Sequence, residues 1–180
     1  MIFSNYSVSQ VYQKTFELLS AENDRGAVLL GGVLTESVLD DMLSKKLISL
    51  PKGKKNTFNY SNKIDLTYQL GMINVEMHAL LHNLRGARNS FAHKIVSDIT
   101  DETMTEQIDK IFSSTPELYQ NFMANWIRNL KSALAKHNVD QTVIDSVEPG
   151  ARARFNNFIT IIISMLQQDS LKVTPVQSIE

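Results

Sequence analysis

"DRGAVLLGGVLTESVLDDMLSKKL", residues 24–47, decides the fold class. Val28, Leu29, Leu30, Val33, Leu34, Val38, Leu39, Met42, Leu43 and Leu47 cover most of a helical circumference, the pattern of a helix buried on nearly all sides. Asp24 reads as the N-cap of a helix over 25–48. Gly31-Gly32 in its middle costs roughly 1 kcal/mol per glycine relative to alanine, so close approach of a neighbouring helix is expected there. With 100° per residue, Glu36 falls within about 20° of Leu29, on an apolar face.

Working outward, the neighbouring segments are helical too. Val8, Val11, Tyr12, Thr15, Leu18 and Leu19 step by three and four, predicting a helix over 8–21. "SLPKGKKNTFNYS" (49–61) breaks the pattern and reads as a loop. Ser61 can cap a short helix over 62–70, closed by Gly71. Asn74 caps the next, over 75–96, and Thr100 or Asp101 opens one over 102–112. Thr115-Pro116-Glu117 is a strong helix start, leading to His137. A short helix over 140–147 precedes Pro149-Gly150, and a last one covers 151–168. No stretch alternates with period two for long enough to make a strand. The expectation is all-α: a bundle of six to eight helices around the buried central one. It forms a single domain over 1–170, with 100–170 as a candidate helical lobe and 171–180 as a frayed tail.

The composition narrows the function classes. The chain of 180 residues has no cysteine, which excludes disulfides, thiolate zinc sites and cysteine nucleophiles. "MIFSNYSVSQ" has neither the basic nor the apolar region of a signal peptide, and "FNNFITIIISML" (155–166) is too short to span a bilayer. A cytoplasmic protein without membrane attachment is expected. The net charge of −1 hides an uneven distribution: residues 45–94 carry +7 and residues 95–127 carry −5. Lys45, Lys46, Lys52, Lys54, Lys55 and Lys63 in the basic block are candidate nucleic-acid contacts, DNA or RNA, giving salt-sensitive and sequence-blind affinity. Phe58 and Tyr60 beside them could stack on bases.

"LRGARNSFAH" (84–93) carries the functional question. With Met77 at zero on the 75–96 helix, Arg88 falls at about 20°, among Leu81, Leu84, Phe91 and Ile95. A guanidinium cannot shed its proton, so a buried one needs a carboxylate or a wet cavity. Glu36, also on an apolar face, is the expected partner and Asp24 the second candidate. Asp24, Arg25, Glu36, Arg88 and His93 are then a structural buried polar network. The flank of the same helix holds a polar ribbon of His78, His82, Asn89 and His93, with Gly86 beside it to let something come close. It suits a helix–helix or subunit contact, so a protein partner or a homodimer is expected. His78 and His82, one turn apart, have metal-ligand spacing. No acidic third ligand lies near them in sequence, and no metal or cofactor is expected.

"AENDRGAVLLGGVLTESVLDDML" (21–43), "YSNKIDLTYQLGMI" (60–73) and "LRGARNSFAH" together resemble the mannitol-repressor family, with residues 21–96 the best-matched part. The resemblance implies an all-helical, cytoplasmic bacterial protein linked to transcriptional repression of sugar-alcohol uptake and use, and not an enzyme. Arg88-Asn89-x-x-x-His93 is also similar to the Arg-x-x-x-x-His signature of HEPN-type proteins, many of them metal-independent ribonucleases that pair the motif across a dimer. That resemblance implies either an inactive relative or a ribonuclease with catalytic roles: His93 handling a proton, Arg88 stabilising charge on the phosphate, and Asn89 as the accompanying polar residue. A helix-turn-helix over 140–158, with Arg152 and Arg154 heading its second helix, is the remaining candidate for DNA reading.

Overall fold

The computed structural model describes residues 3, 6–48, 57–93, 102–137 and 139–176. Lys52, Lys54 and Lys55, Ile95, the predicted end of the 75–96 helix and the Thr100–Asp101 start lie outside them. The described residues form eight helices and no strand. They are α1 (Val8–Ala21), α2 (Asp24–Lys46), α3 (Tyr60–Gln69), α4 (Val75–His93), α5 (Glu102–Ser113), α6 (Pro116–Lys136), α7 (Gln141–Ser146) and α8 (Ala151–Lys172). No described helix is long and apolar enough to cross a membrane.

Local chemistry sets the boundaries, with some changes of cap. Asn23, not Asp24, caps α2, its side chain accepting from the Gly26 N–H at 2.7 Å. Asn59, not Ser61, caps α3, accepting from the Asn62 N–H at 2.9 Å. In both cases an asparagine earlier in the chain takes the role. Asn74 accepts from the Met77 N–H at 2.8 Å, as its position predicts. Gly71 follows α3 with φ +68°, the left-handed conformation that favours glycine, and Met72 N–H donates back to Thr67 O. α8 continues to Lys172, and Val176 N–H donates to Lys45 O at 2.8 Å. The tail beyond 171 is therefore docked at least as far as Val176.

α2 packs against α1, α3, α4 and α8, and α8 lies against both α1 and α2. Phe155, Phe158, Ile159 and Ile162 of α8 join Leu34, Leu81, Phe91 and Ile111 in one hydrophobic cluster. The C-terminal half thus supplies part of the common core, not a lobe set apart. Both central glycines of α2 sit at close approaches. A Cβ on Gly31 would meet Ile159 Cγ2 at 3.3 Å, and one on Gly32 would meet Arg88 Cδ at 2.7 Å. α2 is not apolar-buried all round: Val33 is 43% exposed. α6 packs chiefly on α5 and α7. Only Phe122 of the Tyr119, Phe122, Trp126, Leu130 stripe is buried, and the other three are half-buried.

Candidate functional site

Arg88 finds the partner its position on α4 demands. Its Nη1 donates to Glu36 Oε2 at 3.1 Å, joining α4 to α2. The pair is half-buried, with side chains 28% and 21% exposed, so the fully enclosed pair expected from the apolar faces is corrected to one at the rim of the core. The guanidinium lies over the Tyr60 ring, 5.5 Å from its centroid. Cation–π geometry of this kind stabilises a charge that has lost part of its water. Tyr60 is in turn fixed from below. The Thr35 hydroxyl donates to the Gly31 and Gly32 carbonyls at 3.0 Å each, leaving its oxygen to accept from the Tyr60 hydroxyl at 2.6 Å. Burial raises the Tyr60 phenol well above its ordinary pKa, so it stays a neutral donor.

Glu36 has a second cation. Lys63 of α3 donates to Glu36 Oε1 at 2.9 Å and to Asp40 Oδ2 at 2.8 Å. Burial works against the charge on Lys63, but Asp40 and Glu36 together hold its pKa above the usual lysine value. Lys63 is therefore engaged, which removes it from the candidate nucleic-acid contacts. Lys45 is corrected in the same way. Its Nζ donates to Asp41 Oδ2 at 2.8 Å and to the Ser170 carbonyl at 2.8 Å, tying α2 to α8. Lys46 is half-buried at the end of α2.

The expected polar network does not assemble as one unit. Asp24 pairs with Arg152 of α8, not with Arg88. Arg152 also donates to Leu19 O at 2.8 Å and Glu22 O at 2.7 Å, placing a cation at the C-terminus of α1. Arg25 donates to Ala92 O at 3.2 Å, at the end of α4. His93 is exposed and falls outside any buried network, because it lies about 140° around the helix from Arg88. Asn89 is exposed as well. The helix-turn-helix candidate is also corrected: Arg152 is consumed by those contacts. Arg154 reaches Tyr119 Oη at 3.5 Å, and Phe155, Asn156, Asn157 and Phe158 of the would-be reading helix are buried.

A second constellation was only half visible in the sequence. Asp65 of α3 points at both histidines of the α4 ribbon: its Oδ1 lies 2.8 Å from His78 Nε2 and 2.8 Å from His82 Nε2. The two Nε2 atoms are 3.2 Å apart. Hydrogen bonds from His78 and then His82 hold the Asp65 carboxyl below its ordinary pKa. The Tyr68 ring lies against His78, with centroids 4.8 Å apart. Gly86, expected to admit a close neighbour, has none: among the described residues, no atom comes within 4 Å of where its Cβ would stand.

No family model, no curated protein and no solved structure matches the chain.

Proposed function

We propose that the protein is a non-enzymatic transcriptional regulator of the kind the mannitol-repressor resemblance implies, a cytoplasmic bacterial protein acting through contacts with a protein partner or a second copy of itself. The observation that carries this reading is the engagement of Arg88 by Glu36 and Tyr60. An arginine that must bind a scissile phosphate needs free donors and no competing carboxylate. Here the carboxylate is built in, and Gly32 makes room for the arginine stem to reach it. In this reading α2 is the central rod of a scaffold, and Glu36, Arg88 and Lys63 set how α3 and α4 seat on it. The half-covered apolar stripe of α6 supports a protein partner. The engagement of Lys45 and Lys63 argues against nucleic acid as the principal one.

The HEPN-like ribonuclease has one observation in its favour: Asn89 and His93 are exposed and could meet a second copy. The two readings separate in the native host. Loss of the gene should change a confined set of transcripts, and the His93→Ala protein should restore the wild-type pattern. Failure of that folded variant to restore it, together with RNA cleavage by the purified wild type, would overturn the regulator reading.

A further inference from the structure

From the juxtaposition of Asp65, His78 and His82 between α3 and α4, we infer that the protein binds one divalent first-row transition-metal ion, of which Zn²⁺ is the probe.

One carboxylate oxygen and two imidazole nitrogens form a triangle with edges of 2.8, 2.8 and 3.2 Å. With Zn–N and Zn–O distances of about 2.0–2.1 Å, an ion equidistant from all three would stand about 1.1 Å above the triangle, with angles between ligands of about 85–105°. That is a facial arrangement, which leaves the outward positions of the ion to water or another ligand. The histidine side chains are each 26% exposed and Asp65 is 47% exposed, so an ion can enter from solvent.

Hydrogen bonds alone leave the closeness of the two imidazoles unexplained. Asp65 accounts for the two shorter edges if each Nε2 carries a proton directed at it. The two ring nitrogens are then N–H donors that share one acceptor oxygen and stand 3.2 Å apart with no hydrogen bond possible between them. A cation above the triangle instead uses one lone pair from each of the three atoms. Imidazole with carboxylate, and no thiolate in the chain, suits a borderline divalent ion such as zinc over the hard, oxygen-seeking calcium or magnesium.

The three donors are already gathered by the fold. His78 and His82 are one turn apart on a helix, and Asp65 comes from the preceding helix across the Gly71 turn. Tyr68 restrains the His78 ring. Metal binding would therefore staple α3 to α4 with little rearrangement.

The test is calorimetric titration of the chelator-treated full chain with Zn²⁺, paired with thermal melting. One equivalent should bind and raise the melting temperature. His78→Ala, His82→Ala and Asp65→Asn should each lose more affinity than the roughly 10–100-fold that removal of an outer-shell partner costs. His93→Ala and His137→Ala, which alter the other two histidines of the chain, should bind as wild type does. Circular dichroism in chelator confirms the fold of each variant. Should a histidine variant unfold, Asp65→Asn at its half-exposed position decides. Absence of saturable Zn²⁺ binding, or binding that survives Asp65→Asn and a folded histidine variant, would overturn the site.

Discussion

Replacing Arg88 by alanine tests the architecture most directly, and its cost can be worked from the contacts. The variant loses a charge-assisted hydrogen bond to Glu36 at 3.1 Å, worth about 1.5–3 kcal/mol. It loses the guanidinium over Tyr60, about 0.5–1 kcal/mol at a partly exposed site, and the stem packed on Gly32. Breaking a buried ion pair by removing one partner costs about 3–5 kcal/mol because the other charge is orphaned. Glu36 is not orphaned here, since Lys63 stays at 2.9 Å. The expectation is therefore about 2–3 kcal/mol, below that ceiling. For a chain of this size it corresponds to a fall in melting temperature of roughly 5–10 °C.

The assay is urea and thermal unfolding of the wild type, Arg88→Ala, Glu36→Gln and the double variant. The cycle should return a coupling of about 1–2 kcal/mol. Lys63→Met should cost less than Glu36→Gln, because Lys63→Met leaves Glu36 its arginine, whereas Glu36→Gln strips Arg88 of its carboxylate. An Arg88→Ala protein within about 0.5 kcal/mol of wild type, well below the expected hydrogen-bond loss, would refute the reasoning. So would a cycle with no coupling.

Gly32→Ala gains about 0.4–1 kcal/mol of backbone entropy but drives its Cβ to 2.7 Å from Arg88 Cδ. It should destabilise the wild type and stabilise the Arg88→Ala protein, and a denaturation midpoint that moves the same way in both would count against the close approach. Arg152→Ala removes the cation shared by Asp24, Leu19 O and Glu22 O and should cost about 2–3 kcal/mol in urea unfolding. Lysine at that position should recover less than half of this loss, because it cannot reproduce the fork of donors.

The legible part of the fold was whatever a single helix determines by itself. Periodicity and caps pointed to six to eight helices, of which the described residues form eight, and the position of Arg88 among Leu81, Leu84 and Phe91 called for a carboxylate or a wet cavity, the carboxylate proving to be Glu36. What escaped depends on the register between helices. Nothing local to Lys63 says that it will straddle Glu36 and Asp40, or that Tyr60 will lie beneath a guanidinium. Asp65 is not legible as the histidines' partner because it lies 13 and 17 residues from His78 and His82 in the chain. A usable signal existed: a short connection makes α3 and α4 antiparallel neighbours, and reflecting Asp65 through that connection brings it level with His78 and His82.

The same reflection explains why one polar ribbon on α4 has two fates. α3 has 10 residues and α4 has 19, so at about 1.5 Å per residue α3 covers only the first half of its partner. His78 and His82 fall within that half and meet Asp65. Tyr60, the first residue of α3, marks its limit beside Arg88. Asn89 and His93 lie past it on the same stripe and emerge into solvent. The length of one short helix thus separates a gathered donor triad from an exposed histidine. Read without α3, those four residues look like a single functional face.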